Sequence, residues 1–248
     1  MPDHSTDRTT ARLAATALAL ASTLAIAGFT ALGSVFAYPQ ILQEPTSEIL
    51  ALFRAHETAV MAWFGVLAVS AALMAPAGGW IGRLAGGTLG RAIAAAGVAA
   101  AVVQVVGLQR WLTLVPGFAQ EALDLGRRAS AEQRFELWHT VLGTGIGETA
   151  GYALTALFTL LVVLALGRRS LLPPWLAVAG LVAAALIVTG VLVPLVPGAS
   201  LSNFAGYILW CVWLIAVAIV LLRFRPTASR STPAVVASRP ADTAARHR

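Results

Sequence analysis

Long apolar stretches without charge alternate with short charged segments along most of the chain. A helix that crosses a membrane needs about 20 mostly apolar residues, and the chain offers six such helices. The segment from Ser170 to Leu222 carries no charge, and Pro194, Pro197 and Gly198 divide it into two crossings. The pattern predicts membrane-spanning helices at about 13–36, 58–82, 92–116, 137–167, 174–193 and 203–222.

The composition points to the same class of protein. Hydrophobic residues make up 58% of the chain and charged residues 11%, whereas about a quarter of the residues of a soluble protein are charged. We therefore predict an all-α fold, a bundle of six transmembrane helices in the lipid bilayer. Residues 1–12 are predicted as a cytoplasmic tail, 13–223 as the membrane domain and 224–248 as a disordered, arginine-rich tail.

Arginine placement predicts the orientation in the membrane. All 17 cationic residues are arginine, which is typical of a GC-rich bacterial genome, and basic residues accumulate on the cytoplasmic side. This rule favours cytoplasmic termini in a bacterial plasma membrane and explains the net charge of +6 without nucleic acid. Twelve arginines then lie inside (Arg8, Arg12, Arg83, Arg91, Arg168, Arg169, Arg223, Arg225, Arg230, Arg239, Arg246, Arg248) and four outside (Arg54, Arg127, Arg128, Arg134).

A cleaved signal peptide is the competing interpretation of residues 1–37. Arg8 and Arg12 precede an apolar segment that ends in Val35-Phe36-Ala37. That segment is longer than the apolar region of about 7 to 15 residues found in signal peptides. We therefore favour a first membrane helix.

Two charges fall inside predicted membrane helices, Arg110 and Glu148. Arg110 lies 19 residues beyond Arg91, and Glu148 lies 20 residues before Arg168. At about 1.5 Å per residue both lie roughly 30 Å from the cytoplasmic edge, on consecutive antiparallel helices. This predicts a salt bridge in the outer half of the bundle. The alternative is that Arg110 extends to the outer water, with Trp111 as an interface anchor.

The segment around Glu148 is rich in glycine. Gly145-Ile-Gly147-Glu148-Thr-Ala150 matches the loose G-x-G-x-x-G/A pattern of dinucleotide sites, but no strand precedes it. Small residues spaced by four let membrane helices approach closely. We therefore predict a packing ridge at Gly143, Gly147 and Gly151, with Gly107 leaving room beside Arg110.

Polar side chains accompany Glu148 at helical spacing and predict an inward face. Gln104 on the preceding helix adds an amide, which predicts an interhelical hydrogen bond or part of a polar path. The predicted polar cluster consists of Arg110, Glu148, Gln104, Tyr152 and Thr144, with Thr155 and Thr159 continuing the stripe.

Two histidines fall at the predicted outer ends of helices. His56 and His139 are candidate ligands for haem or, with Glu57 or Glu136, for a metal ion. The set is incomplete as a first coordination shell. We therefore expect no metal or cofactor.

Four segments of the chain resemble a known family. They are "YPQILQEPTSEIL", Trp63-Phe64, "VVGLQRW" with Val115-Pro116, and "GIGETAGY". Together they resemble the uncharacterised bacterial integral-membrane family catalogued as domain of unknown function 4386. The resemblance implies six helices and a membrane location, and it implies no activity.

The residues favour a non-enzymatic membrane component, with a second copy or another membrane protein as a candidate partner. A small-solute or proton-coupled transporter that uses Glu148 is the first alternative, motivated by the polar stripe. A haem-binding or redox membrane enzyme is the second, based on His56 and His139.

Overall fold

The computed structural model describes residues 4–196 and 198–223, and this part of the chain is helical without a strand. The α-helices are α1 (His4–Phe36), α2 (Thr46–Ala55), α3 (Glu57–Ala72), α4 (Met74–Ala85), α5 (Gly87–Thr113), α6 (Val115–Glu121), α7 (Arg128–Trp138), α8 (Gly151–Arg168), α9 (Pro174–Val188) and α10 (Ala199–Leu222). Short 3-10 helices occupy Gln40–Gln43 and Thr189–Leu192, and a π-helix occupies His139–Ala150. The predicted disordered tail, 224–248, lies outside the described residues.

Six helical segments are long and apolar enough to cross a membrane, which confirms the predicted all-α, six-helix architecture. The second span joins α3 with α4, the third joins α5 with α6, and the fourth joins α7, the π-helix and α8. The spans cover Thr6–Phe36, Glu57–Ala85, Gly87–Glu121, Arg128–Arg168, Pro174–Leu192 and Ala199–Leu222. The chain is thus a multi-pass membrane protein.

The spans follow one another around the bundle. Helix α1 packs against α3, α4 and α10, while α5 packs against α3, α4, the π-helix and α8. Helix α9 packs against both α8 and α10. Because α10 also packs against α1, the sixth span lies beside the first. Antiparallel neighbours of this kind follow from short connections between consecutive helices.

The outward faces of the spans remain apolar. Leu20, Val102 and Val212 are exposed by 49%, 54% and 57% of their surface. Helices that are apolar on all sides are typical of membrane spans. These side chains therefore face lipid.

Loop helices cover one end of the bundle. Helices α2, α6 and α7 pack against one another there and form what we call the cap. Beneath it Trp111 is fully buried and lies parallel to Phe64, with ring centroids 4.7 Å apart. Phe36 meets Trp111 edge-on at 5.2 Å, and Phe53 stacks at 6.1 Å. Trp111 is therefore a core residue of the capped end, and the interface-anchor interpretation is wrong.

Candidate functional site

A close helix contact sets the position of the polar residues. A β-carbon placed on Gly107 of α5 would lie 2.5 Å from the Cα atom of Gly147, and one placed on Gly151 would lie 3.1 Å from Cγ of Gln104. A β-carbon on Gly143 would lie 2.7 Å from Nη2 of Arg110. Since ordinary carbon contacts lie near 3.5–4.0 Å, the backbones at Gly107 and Gly147 approach this closely only because both positions are glycine, and Gly143 and Gly151 leave room for the side chains of Arg110 and Gln104.

Arg110 lies inside the bundle, not at its surface. Its exposed fraction is 4%, so it does not extend to the outer water as the alternative interpretation required. Its Nη1 donates a hydrogen bond to the carbonyl oxygen of Gly107, and its guanidinium lies 5.3 Å from the centroid of the Trp111 ring. The buried Nε atom has no hydrogen-bond partner among the residues that the structure describes. Arg110 thus keeps hydrogen-bonding capacity that its own helix does not use.

Glu148 is half-buried and has no hydrogen-bond or ion-pair partner among the described residues. Ion pairs within residues 4–196 and 198–223 join Arg127 with Asp124 and Arg134 with Glu121. The predicted salt bridge between Arg110 and Glu148 is therefore not formed. The two groups do lie within electrostatic range of each other.

The helix register explains why the salt bridge is missing. Gly143 faces Arg110, Gly147 faces Gly107, and the chain position after Gly147 is Glu148. Glu148 therefore lies about one turn, roughly 5.4 Å, deeper in the bundle than Arg110. Counting residues from the two cytoplasmic edges placed them at the same depth because it assumed that Arg91 and Arg168 mark the same level of the bundle.

The regular helix is in fact interrupted. Residues His139–Ala150 form a π-helix, in which each N–H bonds to the fifth preceding carbonyl, and such segments occur frequently at functional sites. It contains Gly143, Gly147 and Glu148, as well as half-buried Thr144. The sequence carries no spacing signal that would distinguish this π-helix from an α-helix.

A line of hydrogen bonds continues deeper from the polar residues. Nε2 of Gln104 donates to Oγ1 of Thr155 at 2.8 Å, between α5 and α8. Oγ1 of Thr159 donates to the carbonyl oxygen of Thr155 and accepts from Nε1 of Trp210 on α10, each at 2.8 Å. Both threonines are fully buried. These bonds join three spans at the centre of the bundle.

Tyrosines lie within electrostatic range of Glu148. Tyr152, one turn beyond it, meets Tyr207 of α10 edge-on with ring centroids 5.7 Å apart. Tyr38, just after α1, stacks on Phe29 and lies edge-on to Phe64 at 5.3 Å. Burial raises the pKa of the Tyr38 phenol, the Glu148 charge raises it further, and the Arg110 charge lowers it.

Tyr38 and Tyr207 were missed by sequence reasoning. Tyr38 follows the first span beside Pro39, and Tyr207 is an aromatic residue in an apolar run. No spacing rule connects either residue with Glu148, because both are distant from it along the chain. We call Arg110, Glu148, Tyr38 and Tyr152 the polar centre.

The candidate histidines occupy different surroundings. His56 is exposed between α2 and α3. His139 is half-buried, stacks on Phe135 at 5.4 Å and lies edge-on to Trp111. Its Nδ1 atom has no hydrogen-bond partner in the described part of the chain. Within the described ranges, no three His, Cys, Asp or Glu side chains form a group suited to a metal ion. His139 therefore belongs to the aromatic packing under the cap.

Comparison with known proteins identifies one family. The family model described as Domain of unknown function (DUF4386) matches residues 13–218, which include all six spans in whole or in large part. No curated protein and no solved structure matches the chain.

Proposed function

We propose that this chain, which belongs to the family described as Domain of unknown function (DUF4386), is a non-enzymatic membrane protein that exchanges a proton or a small polar solute at Glu148. The observation that supports this proposal is the unpartnered Glu148 carboxyl group close to a buried, partly unpartnered Arg110.

The energetic reason is the cost of charge in a membrane. An ionisable group inside a span costs a few kcal/mol on insertion scales and is normally paired or faces a wet cavity. A static pair would remove this cost by direct contact, yet the register keeps Arg110 and Glu148 about one turn apart. This separation suits a partner that binds and dissociates. The partner would be a proton at Glu148 or a solute with a hydrogen-bond acceptor at Arg110.

Proton flux across the membrane requires that the polar centre be reached from both sides, and the access from the outside is proposed to lead through the cap. Under the arginine rule the cap faces outward, because the loops at the opposite end carry most of the arginines. Tyr38 and His139 lie between the cap and the middle of the bundle. A proton or solute from the outer water would therefore meet Tyr38 before Glu148.

The test is proton movement in vesicles that contain the purified full-length chain and a pH-sensitive dye. After an imposed pH gradient, wild-type vesicles should equilibrate faster than protein-free vesicles, and Glu148→Gln should abolish the difference. Glu44→Gln is the control, since Glu44 is exposed in the connection between α1 and α2. A folded Glu148→Gln variant with wild-type proton flux would overturn proton exchange at this residue.

A static structural role is the competing function, and the glycine contact with the Gln104–Thr155 hydrogen bond favours it. The two roles predict opposite effects on stability. An unpartnered carboxylate in a span is costly, so an exchange site predicts that Glu148→Gln leaves thermal stability unchanged or raised. A structural role predicts a loss of stability for the same variant, measured as a lower Tm in detergent.

A further inference from the structure

A polar cleft of about 180 Å³ lies in the cap, apart from the polar centre. Its walls come from α2, the residue after α6, and α7. Buried Leu50 and Ala122 contribute apolar surface, whereas the other lining side chains are polar or charged. The lining residues are Ser47, Leu50, Arg54, Ala122, Arg128 and Glu132.

Hydrogen bonds and an ion pair hold the walls of this cleft in place. Oγ1 of Thr46 donates to Oε1 of Glu136 at 2.8 Å and joins α2 to α7. Nη1 of Arg54 donates to the carbonyl oxygen of Ala119 at 2.9 Å and joins α2 to α6. An ion pair between Arg134 and Glu121 joins α7 to α6. The cleft is therefore preorganised, which lowers the entropic cost of binding.

The three charged groups that line the cleft do not neutralise one another. Arg128 and Glu132 are four residues apart on α7, a spacing at which opposite charges often pair. Nε of Arg128 instead donates to the carbonyl oxygen of Ala122 at 3.1 Å. The ion pairs found in the described part of the chain involve none of Arg54, Arg128 and Glu132. Each guanidinium carries five N–H donors, so most donors in the cleft remain available.

We propose that this cleft binds a small zwitterion through an anionic group at Arg54 and Arg128 and a primary ammonium at Glu132. Arginine binds phosphate and carboxylate oxygens in a directional, often bidentate manner, and the Glu132 carboxylate accepts hydrogen bonds from an ammonium group. At about 30 Å³ of liquid volume per water, a cleft of about 180 Å³ is the size of roughly six waters, which suits a compact ligand.

Phosphoethanolamine has the groups that fit both the two arginines and the Glu132 carboxylate. The compound carries a phosphate and a primary ammonium two carbons apart, and it exists both free and as a lipid headgroup. The cleft lies where the third span ends at Glu121 and the fourth begins at Arg128, so either source has access to it.

Calorimetric titration of the detergent-purified full-length chain tests the proposal with three probes: phosphoethanolamine, phosphocholine and inorganic phosphate. Phosphocholine should bind more weakly than phosphoethanolamine, because its quaternary ammonium has no N–H to donate. Glu132→Gln should weaken phosphoethanolamine roughly tenfold to a hundredfold, the range expected for one charge-assisted hydrogen bond, and leave the binding of inorganic phosphate unchanged or strengthen it, because a negative charge is removed from the cleft. Glu132 has no partner in the described structure that its loss would disturb.

Arg127→Gln is the matched control for charge. Arg127 neighbours Arg128 but is exposed, pairs with Asp124 and does not line the cleft, so this variant should bind all three probes like wild type. Arg128→Gln should weaken phosphoethanolamine and phosphate alike. Equal affinity for phosphoethanolamine and phosphocholine, or an equal loss of phosphate and phosphoethanolamine binding in Glu132→Gln, would overturn the proposal.

Nanodiscs distinguish the two sources of the headgroup. If the ligand is a lipid, phosphatidylethanolamine should raise the Tm of wild type above its value in pure phosphatidylcholine, and Glu132→Gln should lose that increase. If the ligand is soluble, free phosphoethanolamine should bind, and phosphatidylethanolamine should leave the Tm unchanged. Either result supports the zwitterion site, whereas no response to the free compound and none to the lipid contradicts it.

Discussion

Gly107→Ala perturbs the contact on which the position of the polar centre depends. The added β-carbon would lie 2.5 Å from Cα of Gly147 and 3.0 Å from the carbonyl oxygen of Leu142. Ordinary carbon contacts lie near 3.5–4.0 Å, so the helices would have to separate by about 1 Å. Both neighbours are backbone atoms and cannot rotate away. Overpacking of this kind costs about 1–3 kcal/mol, and we expect the upper part of that range.

Alanine also recovers part of this loss, because it is favoured over glycine in a helix by about 1 kcal/mol. The expected net loss for Gly107→Ala is therefore about 2 kcal/mol, or on the order of 4–8 °C in Tm for a chain of this size. Thermal unfolding in a fixed detergent measures it.

Gly167→Ala on α8 is the matched control. Outside the backbone of its own helix, a β-carbon there would meet no atom of the described residues within 4 Å, so the substitution should leave stability unchanged or raise it by up to about 1 kcal/mol. Equal or higher Tm for Gly107→Ala than for wild type would refute the close-contact reasoning.

Three further substitutions test neighbouring contacts. Gly143→Ala should displace the Arg110 guanidinium and lower Tm, whereas an unchanged Tm would contradict the contact at 2.7 Å. Gln104→Met should cost about 0.6 kcal/mol, and at most about 1.7, the range for hydrogen bonds between membrane helices, because it removes the bond to Thr155. Because the raised pKa of Tyr38 keeps it protonated in the folded state, stability should fall as pH rises above about 10, where unfolded tyrosine ionises. Tyr38→Phe should show a smaller fall, and an identical pH profile would contradict this.

The number of spans was accessible from sequence because lipid imposes a simple length rule. Twenty apolar residues without charge are sufficient to identify a membrane helix, and the turn at Pro194 was readable from proline and glycine alone. The cap was less accessible. Helices α6 and α7 continue the third and fourth spans but lie almost wholly outside the predicted spans 92–116 and 137–167, and the apolar pattern did not predict that they pack over the end of the bundle.

The sequence predicted several residues of the site, but it did not predict how they lie relative to one another. Gln104, Arg110 and Glu148 stand out because polar groups are rare in spans. Their relative depth depends on the glycine register between α5 and the π-helix, which does not change the apolar pattern. Tyr38 could not be predicted as a member of the site, because its contact with Phe64 depends on packing between segments that are distant in sequence. Residue type thus identified the candidates, and only the packed structure showed that the two charges do not touch.

Infrared difference spectroscopy of the carboxyl groups as a function of pH tests most directly whether Glu148 exchanges its proton. Wild type in vesicles should show a protonated-carboxyl band that changes with bulk pH; this band should be missing in Glu148→Gln and kept in Glu44→Gln. Identical difference spectra for wild type and a folded Glu148→Gln variant would mean that Glu148 keeps one protonation state, which would contradict the proposed exchange.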